Sequence, residues 1–264
     1  MIVTDGKEER VTGHWYGVDG STQYEIKSTS GTYRPTNLRD AKKHGFVPSV
    51  TTVMSSASKP GLIEWQIKQA ILAALTLPLR DGEPEADYLK RIMEDSKAQA
   101  KSAADRGTAI HNAVEDWFTY QKRDKFLNHV SACIDALKST FGDVKWVSEE
   151  SFSSRWGFGG KVDLHVKPCD LYPDGLVVDI KTKDFTDPST VTAWDEHLWQ
   201  LSAYREGLKI PHARAANIFI SRDEPALTRI IEWDLKELEY GWLTFKSLLI
   251  FWKHRNKYFP GDME

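Results

Sequence analysis

Cysteine is nearly missing from this chain, with only Cys133 and Cys169 in 264 residues. Two thiols cannot build a disulfide framework or a four-cysteine iron–sulfur cluster, so an intracellular compartment is expected. Long apolar runs are missing too. No stretch approaches the roughly 20 residues of a membrane span, and the opening MIVTDGKEER lacks the basic-then-apolar order of an export signal. An excess of one charge is also lacking. The net charge of −3 excludes a histone-like basic coat, so a polyanion could be gripped only by a local patch. There is no G-x-S-x-G elbow, no phosphate-binding loop and no H-E-x-x-H, which argues against three common hydrolase classes. No internal repeat, low-complexity segment or flexible linker divides the chain, so residues 1–264 read as one structural unit.

What is present is ordinary in bulk, 41% hydrophobic and 28% charged, and long enough to bury a sizeable core. Residues 1–50, rich in Gly, Thr, Ser and Tyr, suggest short strands and turns. Apolar residues at helical spacing run from Leu62 to Leu79, and a long polar helix is expected from about Glu85 to Gln121, with another near 125–140. The character changes at Val144. Three successive strand-like segments follow, then a helix near 191–208, strands at 214–221 and 227–233, and a closing helix from Leu235 to about Tyr258. This order predicts an α/β fold with a mixed central sheet flanked by helices: a mainly helical part over 1–143 and an α/β core over 144–264.

The most informative stretch is GGKVDLHVKPCDLYPDGLVVDIKTKDF, residues 159–185. Read as a hairpin, its first strand puts Val162, Leu164 and Val166 on one face and Asp163, His165 and Lys167 on the other. On the second strand, Asp179 and Lys181 share a face. If the turn is centred on Leu171, Asp163 lies opposite Asp179. Like charges so opposed destabilise a sheet, on the order of 4 kcal/mol at ~4 Å and an effective dielectric near 20. A divalent cation between them turns that cost into a binding site, and hard oxygen ligands suit Mg²⁺ or Mn²⁺. Lys181 then adds a point charge able to orient water or neutralise charge on phosphorus. The plainer alternative is a solvated face on which Lys181 pairs with Asp179.

Other features gather around this hairpin. Gly107 interrupts a helical run at roughly 1 kcal/mol against alanine, so a close approach of backbone or ligand is expected there. His111 and Glu115, four apart, share a face of that helix. Glu150 falls in a partly apolar row with Trp146, Ser148 and Phe152, and a one-residue shift would exchange it with Glu149. Gln200 and Tyr204 stand one turn apart on the helix that follows Lys181.

The segments RGTAIH (106–111), EES (149–151), GGKVD (159–163), VVDIKTK (177–183) and QLSAY (200–204) occur in an order that resembles the PD-(D/E)XK nuclease superfamily, in its RecB-like exonuclease branch. Mitochondrial genome-maintenance exonucleases, phage exonucleases and CRISPR-associated RecB-like exonucleases are the nearest likenesses, and VPSVTTVMSSASKPGLIEW (47–65) resembles the opening segment of the phage enzymes. The likeness covers about 47–208. It implies a restriction-endonuclease-like core and a metal site of His111, Glu150, Asp163 and Asp179, with the carbonyl of Ile180 as a further ligand. Lys181 would be the catalytic lysine, with Gln200 and Tyr204 positioning it or the DNA.

The implied activity is Mg²⁺- or Mn²⁺-dependent hydrolysis of DNA from its ends, with single strands preferred, in replication, recombination or repair. The setting would be the cytoplasm of a bacterial or phage-infected cell, with DNA as partner, no membrane, and room for a recombination or replication protein. No iron–sulfur cluster is expected. Lys59, Arg106, Lys161 and Lys183 are candidate DNA-backbone grips and equally fit a solvated surface. Trp156 suits base stacking or the core. A structure-specific endonuclease and a non-catalytic DNA-binding accessory protein on the same fold are the competing readings.

Overall fold

Residues 13–28, 31–58, 60–122 and 125–261 are described by the computed structural model; Lys59, a candidate DNA contact, lies outside them. Short strands β1 (Trp15–Tyr16), β2 (Glu25–Lys27), β3 (Tyr33–Pro35) and β4 (Val47–Pro48) are interleaved with helices α1 (Leu38–His44) and α2 (Val50–Met54). Helices α3 (Pro60–Thr76), α4 (Glu85–Tyr120) and α5 (Leu127–Phe141) come next. Then follow β5 (Val147–Ser154), β6 (Phe158–Val166), β7 (Leu176–Lys183), α6 (Asp195–Gly207), β8 (Arg214–Ser221), β9 (Thr228–Trp233) and α7 (Leu235–Asn256). Among the described residues no helix is long and apolar enough to cross a membrane.

Local chemistry explains several boundaries. Glu85 and Asp87 place negative charge in the first turn of α4, where the helix dipole favours it. Helix α7 opens on a capping box of Asp234 and Glu237 and ends on Lys253, His254 and Arg255. The turn between β6 and β7 is closed by paired backbone hydrogen bonds of Cys169 and Tyr172, and Gly175 supplies a φ of +87°.

Strands β5 to β9 form one mixed sheet in chain order. Only β7 and β8 are parallel, and the crossover they need is supplied by α6. Strand β7 is buried from Leu176 to Ile180, as a central strand covered on both faces must be. One face packs Phe152, Phe158 and Val177 against Leu201 and Tyr204 of α6, Phe245 and Trp252 of α7, and Trp15, Val50 and Val53 from the N-terminal region. The other packs Leu164, Val178, Ile180 and Ile218 against Ile110 and Val114 of α4 and Val130 and Leu137 of α5.

One expectation fails here. Val162 does not share a face with Leu164 and Val166: it packs in the first cluster and they pack in the second. The alternation of β6 breaks at Asp163, whose neighbour across the sheet, Glu149, has a left-handed backbone. Gly107 does mark a close approach: a Cβ there would stand 2.5 Å from Thr182 Oγ1 of β7.

At the end of α6, a Cβ on Gly207 would collide with the ring of Phe152, which Phe158 and Tyr204 hold edge-on at 5.9 and 6.1 Å. Gly207→Ala is therefore expected to lower the unfolding free energy in urea by about 1–3 kcal/mol, the usual cost of overpacking, although alanine is the better helix former.

Candidate active site

Leu164, His165 and Val166 pair with Val178, Val177 and Leu176, the register that a turn about Leu171 requires. The ladder stops one step short of Asp163 and Asp179. There Asp163 Oδ2 accepts the backbone N–H of Ile180 at 2.7 Å, so a side chain takes the place of a strand carbonyl.

Asp179 is only 1% exposed. Burial pushes its carboxyl pKa up; the Lys181 ammonium opposes the rise and the Asp163 charge adds to it. Lys181 Nζ lies 2.9 Å from Asp179 Oδ1, 2.7 Å from Oδ2 and 3.0 Å from Gln200 Oε1. An ammonium only donates, so the Gln200 carbonyl must face it, and the Gln200 amide nitrogen is left to donate to Tyr204 Oη at 2.7 Å. Burial, then Asp179 and Asp163, push the Tyr204 phenol well above its ordinary range, which keeps it protonated. The two residues one turn apart on α6 thus act together as a support for Lys181.

Helix α4 brings the second half of the site. Gly107 lets it lie against Thr182, and Arg222 fixes it there by donating to Ala103 O at 3.0 Å while its other nitrogens grip Asp184 at 2.6 and 2.7 Å. One turn beyond Gly107, His111 Nε2 stands 3.7 Å from Asp163 Oδ1 and 3.8 Å from Glu149 Oε1. Glu149 has φ +58°, a conformation that costs a non-glycine residue about 1–3 kcal/mol. It falls between the pairs Ser148–Leu164 and Glu150–Val162, leaving it and Asp163 outside the ladder.

Of the two adjacent glutamates, Glu149 therefore joins His111. Glu150 turns instead to His165 Nε2 at 2.7 Å, with Lys167 at 3.9 Å. Ligand atoms of His111, Glu115 and Glu149 lie within 4.8 Å of one another. Lys161 forms an ion pair with Glu149 and reaches Glu115 at 3.9 Å, placing a positive charge among the carboxylates.

An imidazole nitrogen and carboxylate oxygens gathered in this way could together hold one divalent cation. A hard-oxygen set with a single imidazole suits Mg²⁺ or Mn²⁺ better than a thiophilic metal. Asp163 borders this group. Asp179 lies behind Lys181 with both oxygens engaged, and Ile180 gives its N–H to Asp163.

A cleft of about 380 Å³ runs beside these residues, lined by Gly107, Thr108, His111 and Asn112 of α4 and by Ile180, Lys181 and Thr182 of β7. Arg106 is exposed on α4, and Lys183 lies 5.4 Å from the Trp194 ring. Trp156 is half-buried, edge-on to Trp242 at 5.9 Å, with Lys246 4.2 Å over its ring.

No protein-family model matches the chain, and neither does any curated protein. Among solved structures, it is similar to an alkaline exonuclease (LHK-Exo) from Laribacter hongkongensis, at 14% identity and a TM-score of 0.33, covering 74% of this chain and 97% of that one. It is also similar to the protein SSO0001, at 13% identity and a TM-score of 0.27, covering 71% of this chain and 86% of that one.

Two residues of the site carry no motif in the sequence. Asn217, fully buried on β8, donates from Nδ2 to Asp179 Oδ2 at 2.8 Å, and Trp233 Nε1 on β9 donates to Asn217 Oδ1 at 2.8 Å. The one visible signal is a lone amide in the apolar run AANIFI.

The placement of the adjacent glutamates separates their substitutions. Glu149→Gln is expected to weaken Mn²⁺ binding at least about tenfold, as loss of a charged ligand does. Glu150→Gln should leave the Mn²⁺ isotherm unchanged and cost at most about 1–3 kcal/mol of stability through its contact with His165. Calorimetric titration with Mn²⁺ and urea unfolding of both variants measure the two effects.

Proposed function

We propose that this chain hydrolyses DNA phosphodiester bonds with Mg²⁺ or Mn²⁺, works from DNA ends and favours single strands. The observation that carries this reading is the Lys181 ammonium held between Asp179 and Gln200, on the strand beside Asp163 and lining one cleft with His111 of the His111–Glu115–Glu149 group. The order of motifs in the sequence supports the same reading.

His111, Glu115, Glu149 and Asp163 would hold the cation. When bound, a divalent cation supplies Lewis acidity and positive charge to a phosphate oxygen. Asp163 keeps one oxygen on the Ile180 N–H, which limits its rotation and leaves the other toward His111. Lys181 is fixed from two sides, so its charge need not reorganise as negative charge develops on phosphorus; such preorganised donors account for much of catalysis. Asp179 fixes the position of the Lys181 ammonium. Gln200 and Tyr204 support the same ammonium.

Lys161, Lys183 and Arg106 would supply positive charge for the backbone of the strand. Lys59 belongs with them on its sequence position. The small cleft between α4 and β7 supports a preference for a thin, single strand. The work would belong to DNA replication, recombination or repair in the cytoplasm.

Cleavage of end-labelled linear single- and double-stranded DNA and of closed circles, with Mg²⁺, Mn²⁺ or EDTA, tests the proposal. Linear DNA should be degraded only with metal, and circles spared. Lys181→Ala and Asp179→Ala should each lose at least about a hundredfold in rate, as removal of one preorganised group does. Cut circles would favour an endonuclease. DNA bound without cleavage by the parent protein would favour a non-catalytic accessory role.

A further inference from the structure

We propose that Asn217 and Trp233 are positioning residues of this site: the Trp233 indole fixes the Asn217 amide, and that amide fixes the buried Asp179 carboxylate on which Lys181 rests. The proposal rests on the reading of Lys181 as the residue that meets the phosphate.

The geometry leaves the amide one orientation. An indole N–H only donates, so Asn217 Oδ1 must face Trp233 and Nδ2 must face Asp179. The backbone register supports this, because Asn217 is the Cα partner of Asp179 across the parallel β7–β8 pair. Asn217 is fully buried, and the rest of its strand from Ala215 to Ile220 is apolar. Asp179 thus accepts from Lys181 on one side and from Asn217 on the other, and rotation of its carboxylate would break both contacts. Trp233 begins a hydrogen-bonded line through Asn217, Asp179, Lys181 and Gln200 to Tyr204, crossing β9, β8, β7 and α6.

A purely structural amide would satisfy the buried carboxylate and do nothing more, so the test must read Lys181 itself. Trp233→Phe keeps an aromatic ring and removes the N–H; Asn217→Leu keeps the branched shape of the side chain and removes the donor to Asp179. In the full-length protein, kcat on single-stranded DNA with Mn²⁺ is expected to fall about tenfold in Trp233→Phe and about a hundredfold in Asn217→Leu, with KM within about twofold of the parent's, the signature of a misplaced reacting group. The rate of Lys181 acetylation by acetic anhydride, followed by peptide mass without metal or DNA, should rise about threefold or more in both variants, as loss of a holding hydrogen bond allows. Parental kcat in both variants, a loss confined to KM, or failure of both to fold would overturn the proposal. If the parent cleaves no DNA, the nuclease reading fails on its own. Lys181 acetylation then decides the positioning claim: faster modification in the variants upholds it, and unchanged modification overturns it.

Discussion

A carboxylate with 1% of its surface exposed is the constraint on which the rest of this structure turns. Removing a charge from water costs several kcal/mol even after relaxation, and the cost is offset only by close, well-aligned partners. Asp179 has two, Lys181 and Asn217, and each depends on another residue for its orientation. Lys181 rests on Gln200 and through it on Tyr204; Asn217 is turned by Trp233. Three strands and a helix must therefore be in place before one side chain is satisfied. Core and site cannot be separated here, because Tyr204 belongs both to the packed cluster around Phe152 and to the polar chain behind Lys181.

Asp163 meets the problem of like charge differently. It stands where the β6–β7 ladder ends, places one oxygen on a backbone N–H and leaves the other toward α4. The two carboxylates are thus divided between a buried, fully engaged role and a partly open one. Helix α4 is held over the open one by the missing side chain of Gly107 and by the three-way grip of Arg222. Opposite it, β5 takes a left-handed residue at Glu149 and brings a third carboxylate to the same place. Lys161 offsets part of the resulting negative charge. Strain in the backbone and repulsion among side chains coincide over a few residues, while apolar clusters on both faces of the sheet keep its strands fixed.

Much of this was legible in the residues. The alternation of residues 159–185 pointed to two paired strands, and a turn centred on Leu171 gives the register found from Leu164–Val178 to Val166–Leu176, one step from Asp163 and Asp179. Gly107 inside a helix signalled the close approach to Thr182. What could not be read depended on single backbone angles. Periodicity assumes that every strand residue alternates, so it put Val162 with Leu164; the family resemblance named Glu150, and the neighbour that a one-residue shift would exchange with it, Glu149, is the one that stands beside His111. One positive φ at Glu149 accompanies both departures. Asn217 was visible as an odd amide among Ala, Ile and Phe, but its partner lies 38 residues away and only the parallel pairing of β7 with β8 unites them.

The departures from regular structure fall where the sheet's own hydrogen bonds run out. Inside the ladder each backbone N–H and C=O is committed to a neighbouring strand, and a polar side chain has little left to bind. At the end of the β6–β7 ladder the Ile180 N–H is free to take Asp163, and between the flanking pairs of β5 and β6 the residues Glu149 and Asp163 are released together. A regular strand pair would carry these acids on a fixed two-residue spacing and could not bring them toward a helix above the sheet. The interruption lets side chains from β5, β6 and α4 converge, while Lys181, still within the β7–β8 pairing, keeps the rigidity of the core beneath them. Convergence at a broken edge over a fixed base gives the site both its reach and its precision.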